Sequence, residues 1–308
     1  MDQSLLDSLR VVALPTKTNF RGINNREVAL FEGEYGWAEF SPFLEYGDAE
    51  CAPWLSCAIE AATKPKPKLF RDKINVNGTI PAVNGANEIS AIVDLFPGVK
   101  SFKIKVGENT EQDLARINTV RSLRPDSAIR VDVNGAWSVD QAVSFLNLAG
   151  QIEYIEQPCE SIEELRELKK RIDVKIAGDE IIRKALDPFA VDLNGAVDIL
   201  ILKAQPLGGI KRIHDLINHH RLPVVVSSAL ESAIGINYGL VLAGSIDHLE
   251  YGCGLATGSL LVKNVANFPI VNGQMEISSP TPNFKGLDVS KERFDWWKNR
   301  IMRTAELI

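Results

Sequence analysis

A chain of 308 residues carries 45% hydrophobic and 24% charged residues and a net charge of −6, with acids and bases interspersed. That composition suits a globular protein with one barrel-sized domain and a smaller one. It lacks the basic patch that a nucleic-acid surface needs. No run of about 20 apolar residues marks a membrane span, and "MDQSLLDSLR", with an acid at position 2, does not have the form of a signal peptide. Cys51, Cys57, Cys159 and Cys253 form no C-x-x-C pair and no zinc spacing, so they read as free thiols in a reducing compartment. The expectation is a cytoplasmic protein that acts on a small molecule, with no nucleic-acid partner and no membrane anchor. Monomer and homo-oligomer are both open.

In chain order, "RVVALPTKTNF" and "REVALFEGEYGWAEF" read as antiparallel strands, joined through "RGINN" and turned at "EGEYG". "AECAPWLSCAIEAAT" reads as a helix, and "KPKPK" breaks the pattern as a connector. From residue 74 a rhythm sets in, with eight β-rich runs: "KINVNGTIPAV", "SFKIKVG", "AIRVDVNG", "IEYIEQP", "VKIAGDE", "VDILILKAQP", "LPVVVSSAL" and "HLEYGCGL". Segments such as "TEQDLARINTVRSLR" and "SIEELRELKKRI" lie between them, with apolar positions recurring at three and four. Ser161, with Glu164 three residues later, forms a capping signal for the latter.

This alternation predicts an α/β protein with parallel strands and right-handed crossovers. Eight units over about 200 residues fit a closed (β/α)8-type barrel. An open doubly wound sheet usually shows a Gly-rich phosphate turn after its first strand, whereas "GANEISAIV" follows here. The tail from "SPTPNFKGL" reads as a polar return ending in the helix "SKERFDWWKNRIMRTAELI", with Trp296 and Trp297 as packing residues. It is expected to join the N-terminal module. The predicted division is an α+β capping domain of residues 1–73 plus 279–308 and a barrel of 74–278.

Charged residues recur at the ends of these runs. In "SFKIKVG", Lys103 and Lys105 share one strand face while Phe102, Ile104 and Val106 share the other. Barrel strands are buried on both faces, so an inward lysine reaches water only at the C-terminal end, where active sites of this fold lie. The third run places Arg130, Asp132 and Asn134 on one face. Later runs supply Glu156, then Asp179 and Glu180, then Lys203, then Ser227 and Ser228, and finally Gly252 and Gly254. The steps from Lys105 to Asp132, Glu156, Asp179, Lys203 and Ser228 are 27, 24, 23, 24 and 25 residues, one position per βα unit. That spacing puts the groups in a ring at the barrel mouth.

Three carboxylates in such a ring repel and protonate unless a cation joins them. Asp132, Glu156 and Asp179 offer an all-oxygen set suited to Mg²⁺, and no histidine or cysteine joins them to favour zinc. Lys105 and Lys203 flank that set. A nearby cation and partial burial both disfavour a charged ammonium, so one lysine can serve as a base. His214, His219, His220 and His248 fall on no ring position.

The ordered set K-x-K, D-x-N, E-Q-P, G-D-E and K, spread over nearly the whole chain, resembles the enolase superfamily. That resemblance implies the modified (β/α)7β form of the TIM barrel, and a lysine base acting with Mg²⁺ on an enediolate. "VVVSSALESAIG" holds no histidine, unlike the mandelate-racemase type, and the two-lysine arrangement is that of the muconate-lactonising branch. "YGCGLATG" lacks the D-x-D with which dipeptide epimerases hold a substrate ammonium. "NFRGINNRE" resembles the early loop of the o-succinylbenzoate synthases, and Arg130 and Asn134 flank Asp132 as in that family.

The resemblance implies Mg²⁺-dependent dehydration of 2-succinyl-6-hydroxy-2,4-cyclohexadiene-1-carboxylate to 2-succinylbenzoate, a menaquinone-pathway step, by a carbon–oxygen hydro-lyase. It makes Lys105 the base and Lys203 its charged helper. Asp132, Glu156 and Asp179 become the metal ligands, with Mn²⁺ able to substitute. It implies substrate contacts from Lys103, Arg130, Asn134, Arg21, Ser227, Ser228 and Gly254, and makes Glu180 a brace for the metal ligands. Lys103 reads equally well as a structural lysine, and Glu180 as a solvated neighbour of Asp179. N-succinylamino acid racemase or another muconate-lactonising-type isomerase activity stays open as an alternative, and a non-catalytic metabolite-binding barrel as a different class.

Overall fold

The computed structural model describes residues 2–20 and 22–308, the side chain of Phe20 excepted. The chain opens with a short helix, α1 (Gln3–Asp7), capped by the Asp2 side chain on the Ser4 N–H. Strands β1 (Arg10–Phe20), β2 (Ile23–Gly33) and β3 (Gly36–Phe40) form an antiparallel sheet. Helix α2 (Asp48–Thr63) packs on it. Phe31 and Phe40 from the sheet, Trp54 and Leu55 from α2, and Trp297 and Ile301 form one buried cluster. The last two belong to the terminal helix α10 (Lys291–Ala305), so the two ends of the chain share this core. Trp297 also donates its indole N–H to Glu27 at 2.6 Å, satisfying the one polar atom that its burial would strand.

Seven parallel strands follow and pair in sequence order: β5 (Gly78–Ile80), β6 (Ser101–Lys105), β7 (Ala128–Asp132), β8 (Tyr154–Glu156), β9 (Lys175–Gly178), β10 (Ile199–Lys203) and β11 (Val224–Ser227). The crossovers are α3 (Ala86–Val93), α4 (Thr110–Leu123), α5 (Val139–Ala149), α6 (Ile162–Lys169), α7 (Glu180–Arg183) and α8 (Ile210–His220), with α9 (Ala233–Ser245) after the last strand. Ser161 and Glu164 cap α6 reciprocally, as their spacing predicts. Helix α7 is a single turn. Inside the barrel, Tyr154, Ala177, Ile199, Ile201, Val225 and Tyr251 form their own cluster.

Two of the eight predicted runs differ. "KINVNGTIPAV" is not one strand. Its start, β4 (Lys73–Asn75), pairs antiparallel with β12 (Gln274–Glu276). The chain then changes partners: Val76 N–H bonds Gly273 and Asn77 N–H bonds Cys253 before β5 joins β6. The eighth run, "HLEYGCGL", contributes single parallel bridges, Val76↔Cys253 and Ser227↔Gly254, rather than a strand. Glycines at 252 and 254 offer no side chain to pack, which weakens a strand. They also permit close approach, since a Cβ on Gly254 would lie 2.6 Å from Ser227 Oγ. These bridges close the ring between β11 and the segment before β5. Among the described residues, no helix is long and apolar enough to cross a membrane.

Candidate active site

Register places the mouth residues side by side. Lys105 pairs with Asp132, Asp132 with Glu156, and Lys203 with Ser227 across neighbouring parallel strands. Asp179 follows directly on β9. Successive inward residues lie about 7 Å apart along a strand, so each strand contributes one residue to the mouth and one to the layer below.

The carboxylates are buried: Asp132 is 1% exposed, Glu156 and Asp179 0%. Lys103 Nζ reaches up from the lower layer, 2.8 and 2.9 Å from the two Glu156 oxygens and 3.0 Å from Asp132 Oδ2. Lys105 Nζ lies 2.6 Å from Asp132 Oδ2 and 2.7 Å from Asn134 Oδ1. Lys203 Nζ lies 2.5 Å from Asp179 Oδ2. Asn134 also donates to Glu180 Oε1 at 3.1 Å. It adopts a left-handed φ of 53°, which asparagine tolerates better than most residues.

These pairings set the electrostatics. Burial alone would raise Asp132, but Lys103 and Lys105 hold it far below the usual carboxylate range. Lys203 and Arg183 likewise outweigh burial at Asp179 and hold it low. At Glu156 burial and the Asp132 charge prevail over Lys103, and its carboxyl is pushed up to about 7. Burial pulls the Lys105 ammonium below its ordinary range, with Lys103 adding to the effect against Asp132. Burial also acts on Lys103, but Asp132 and Glu156 together hold it well above.

The all-oxygen donor set and its burial fit a hard divalent cation. Glu180 adds a further observation: its Oε2 is buried on this same rim without a hydrogen-bond partner among the described residues. In the arrangement seen here the lysine ammonium groups neutralise the acids. Among the described residues, no three acidic, histidine or cysteine side chains converge on one point. A cation would take over the compensation that the lysines now provide.

The mouth cavity is small, about 40 Å³, and is lined by Lys103, Lys105, Asp132, Asn134, Glu180, Lys203, Ser227, Ser228 and Gly254 among others. Lys105 and Asn134 also line a wider opening of about 700 Å³ beside Thr18, Asn19 and Gly22. Arg21 lies outside the described residues. Ser228 Oγ is engaged by Gly254 O at 2.5 Å and Thr257 Oγ1 at 2.8 Å, so it braces the strand-eight segment.

Arg130, expected at the substrate, is placed elsewhere in this structure. It does not line the cavity. Its guanidinium bonds Glu153 at 2.6 Å, Gly252 O at 2.7 Å and Asn77 Oδ1 at 3.1 Å, and lies 4.9 Å from the Tyr154 ring centroid. Arg130 shares a face with Asp132 but sits one layer deeper, and unlike Lys103 it turns toward the barrel floor.

Several site residues carry no signal of their own in the sequence. Gln157 Oε1 accepts from the backbone N–H of Asp179 at 3.1 Å and of Ile181 at 3.0 Å, holding the Asp179 turn in place. The E-Q-P motif contained it without marking that role. Arg183 pairs with Asp179 at 3.1 Å and Glu180 at 2.5 Å, one helical turn on. Thr79 lines the cavity with a buried hydroxyl that has no partner among the described residues, and Phe43 from the loop after β3 and Trp54 from α2 reach in from the cap. Only the folded arrangement brings these to the mouth.

Residues 91–287 match the enolase C-terminal domain-like family, and residues 11–62 the enolase N-terminal domain-like family. The chain is 44% identical over 314 residues to an o-succinylbenzoate synthase of Mycolicibacterium smegmatis, covering 99% of this chain and 97% of that one. It is 46% identical over 314 residues to an o-succinylbenzoate synthase of Mycobacterium ulcerans, covering 99% and 95%. Among solved structures it resembles muconate lactonizing enzyme from Pseudomonas putida, with a TM-score of 0.72 at 22% identity over 94% of this chain and 97% of that one. It also resembles the L-Ala-D/L-Glu epimerase from Bacillus subtilis, with a TM-score of 0.73 at 19% identity over 89% and 96%. At such identities these two likenesses speak for the fold alone.

Proposed function

The chain belongs to the o-succinylbenzoate synthases of the enolase superfamily, and from that premise we propose that its mouth dehydrates 2-succinyl-6-hydroxy-2,4-cyclohexadiene-1-carboxylate to 2-succinylbenzoate. The observation that carries the reading is the register of Lys105, Asp132 and Glu156 on adjacent strand ends, with Lys203 and Asp179 completing the ring.

Asp132, Glu156 and Asp179 would hold Mg²⁺, with Mn²⁺ as a substitute, and a bound cation would supply positive charge to stabilise the substrate carboxylate. Lys105 Nζ takes the proton from the carbon next to that carboxylate. As the ring becomes aromatic, the carbon–oxygen bond to the hydroxyl breaks, and the proton on Lys105 Nζ leaves with the hydroxyl as water. Lys105 acts first as the neutral amine and then as the ammonium, and Asn134 Oδ1 holds its Nζ in line for both transfers. Lys203 stays protonated and stabilises developing negative charge. At the mouth Asp132, Glu156, Asp179 and Glu180 face Lys103, Lys105, Lys203 and Arg183, so acidic and basic groups are equal in number there.

The pairing of each lysine with its own carboxylate, from separate strands, also supports a second reading: two-base racemisation of N-succinylamino acids in the same cavity. The antiparallel sheet and α2, with the terminal helix sharing their core, favour a cap of residues 1–73 plus 279–308 on a barrel of 74–278. Four buried free thiols favour a cytoplasmic setting. The deciding experiment compares turnover of the cyclohexadiene carboxylate, N-succinylamino acids and dipeptides by the purified protein. Dehydration should be fastest by orders of magnitude, and faster dipeptide epimerisation would overturn the assignment.

A further inference from the structure

Behind the mouth, where the capping sheet meets the barrel, lies a buried polar joint that the chemistry above does not use. Glu231 is 4% exposed and stands two residues beyond Ala229, which lines the cavity with Ser227 and Ser228. Its Oε2 accepts the Ala229 N–H at 2.5 Å. Between them Leu230 adopts a left-handed φ of 62°, a conformation that a branched side chain holds only when its surroundings impose it.

The surroundings come from both domains. Arg26 on β2 donates to Leu230 O at 3.2 Å and to the Ser41 carbonyl, and its guanidinium lies 4.5 Å from the ring centroid of Phe43, itself a cavity wall. Glu39 on β3 accepts from Ser232 Oγ at 2.5 Å, Gly235 N–H at 3.0 Å and Ser41 Oγ at 2.6 Å. Gly235 is required here, because a Cβ would lie 2.7 Å from Glu231 Cβ and 2.9 Å from Glu39 Cδ. The titratable and charged groups facing Glu231 are Glu39 on β3, Arg26 on β2 and Cys57 on α2.

We propose that Glu231 is a positioning residue for substrate binding, acting through Ala229. With the turn around it held across the domain interface by Arg26 on Leu230 O and by Glu39 on Ser232 and Gly235, it fixes the Ser227–Ala229 wall against the Phe43 wall of the cap. The inference rests on the dehydration reading for its substrate. Its cause is a single acceptor oxygen: without it a buried N–H is stranded and the left-handed turn at Leu230 loses the contact that imposes it.

The test compares Glu231→Gln, which keeps a carbonyl acceptor, with Glu231→Met, which keeps the length and loses the acceptor. KM for the cyclohexadiene carboxylate should rise about tenfold or more in Glu231→Met, with kcat within about threefold, while Glu231→Gln stays near wild type. Equal KM values in both variants, or a fall confined to kcat, would overturn the proposal. Hydrogen exchange of the 227–232 segment in the wild-type protein gives an independent readout that needs neither variant to fold and no turnover. The Ala229 amide should be strongly protected, and exchange at an open-loop rate would overturn the proposal. Should the wild-type protein fail to dehydrate the substrate, the functional reading falls, while the exchange result still decides whether Glu231 holds the wall.

Discussion

Lys103 Nζ sits 2.8 and 2.9 Å from the two oxygens of Glu156, a carboxylate with no exposed surface. The lysine rises from the layer below and neutralises a buried acid that a metal would otherwise have to compensate. Removing one partner of a buried pair typically costs ~3–5 kcal/mol, because the other charge is left uncompensated. Lys103→Met should therefore lower the melting temperature by several degrees in chelator, and Mg²⁺ should recover most of the loss. Equal losses with and without Mg²⁺ would separate Lys103 from the cation site.

Arg130 is buried on the barrel floor and satisfied by Glu153, Gly252 and Asn77. Arg130→Met should destabilise the fold by about 1–3 kcal/mol through the acceptors it strands, and leave KM within about twofold. Denaturant unfolding and steady-state kinetics on the same preparation check this. A large rise in KM without loss of stability would return Arg130 to the substrate.

Burial, then the charge of Glu39, push the Glu231 carboxyl up to about 7 from an ordinary 4.5. The folded protein thus keeps a proton there that the unfolded chain has released. This contribution to stability is fully present below about 4.5 and is lost as pH rises through about 7. Glu231→Gln abolishes that titration. The melting temperature of the variant relative to wild type should therefore rise between about pH 5 and about pH 8. A pH-independent difference would contradict the assignment.

The two lysines can be separated by isotope exchange. Lys105→Ala should reduce dehydration by ~10²–10⁴-fold and Lys203→Ala by ~10²–10³-fold, ranges that overlap. In deuterated water with a racemisable N-succinylamino acid, each variant should lose α-proton exchange from one enantiomer, and from opposite ones. If Lys203→Ala abolished dehydration as completely as Lys105→Ala, Lys203 would be a proton carrier rather than an electrostatic helper.

The parallel strands and the acidic ring were legible because two periodicities are written directly in the chain: side-chain alternation along a strand, and one βα unit every 23 to 27 residues. Together they bring Lys105, Asp132, Glu156, Asp179 and Lys203 to one rim. Depth within the barrel was not legible. Lys103 and Arg130 pair in register and share one layer, yet one side chain climbs to the mouth and the other drops to the floor. Side-chain direction there follows from partners on distant strands. Phe43, Trp54 and Glu231 escaped for a related reason, since their place at the mouth or behind it depends on how the cap docks on the barrel.

The central claim is that three buried carboxylates hold a cation on which dehydration depends. The most direct measurement is kcat/KM for the cyclohexadiene carboxylate after exhaustive chelation, after Mg²⁺ is restored, and in Asp132→Asn titrated with Mg²⁺. The account predicts turnover lost on chelation, recovered with Mg²⁺, and a higher Mg²⁺ requirement in Asp132→Asn, where one charged ligand is gone. Full turnover in the metal-free protein, or an unchanged Mg²⁺ requirement in Asp132→Asn, would contradict it.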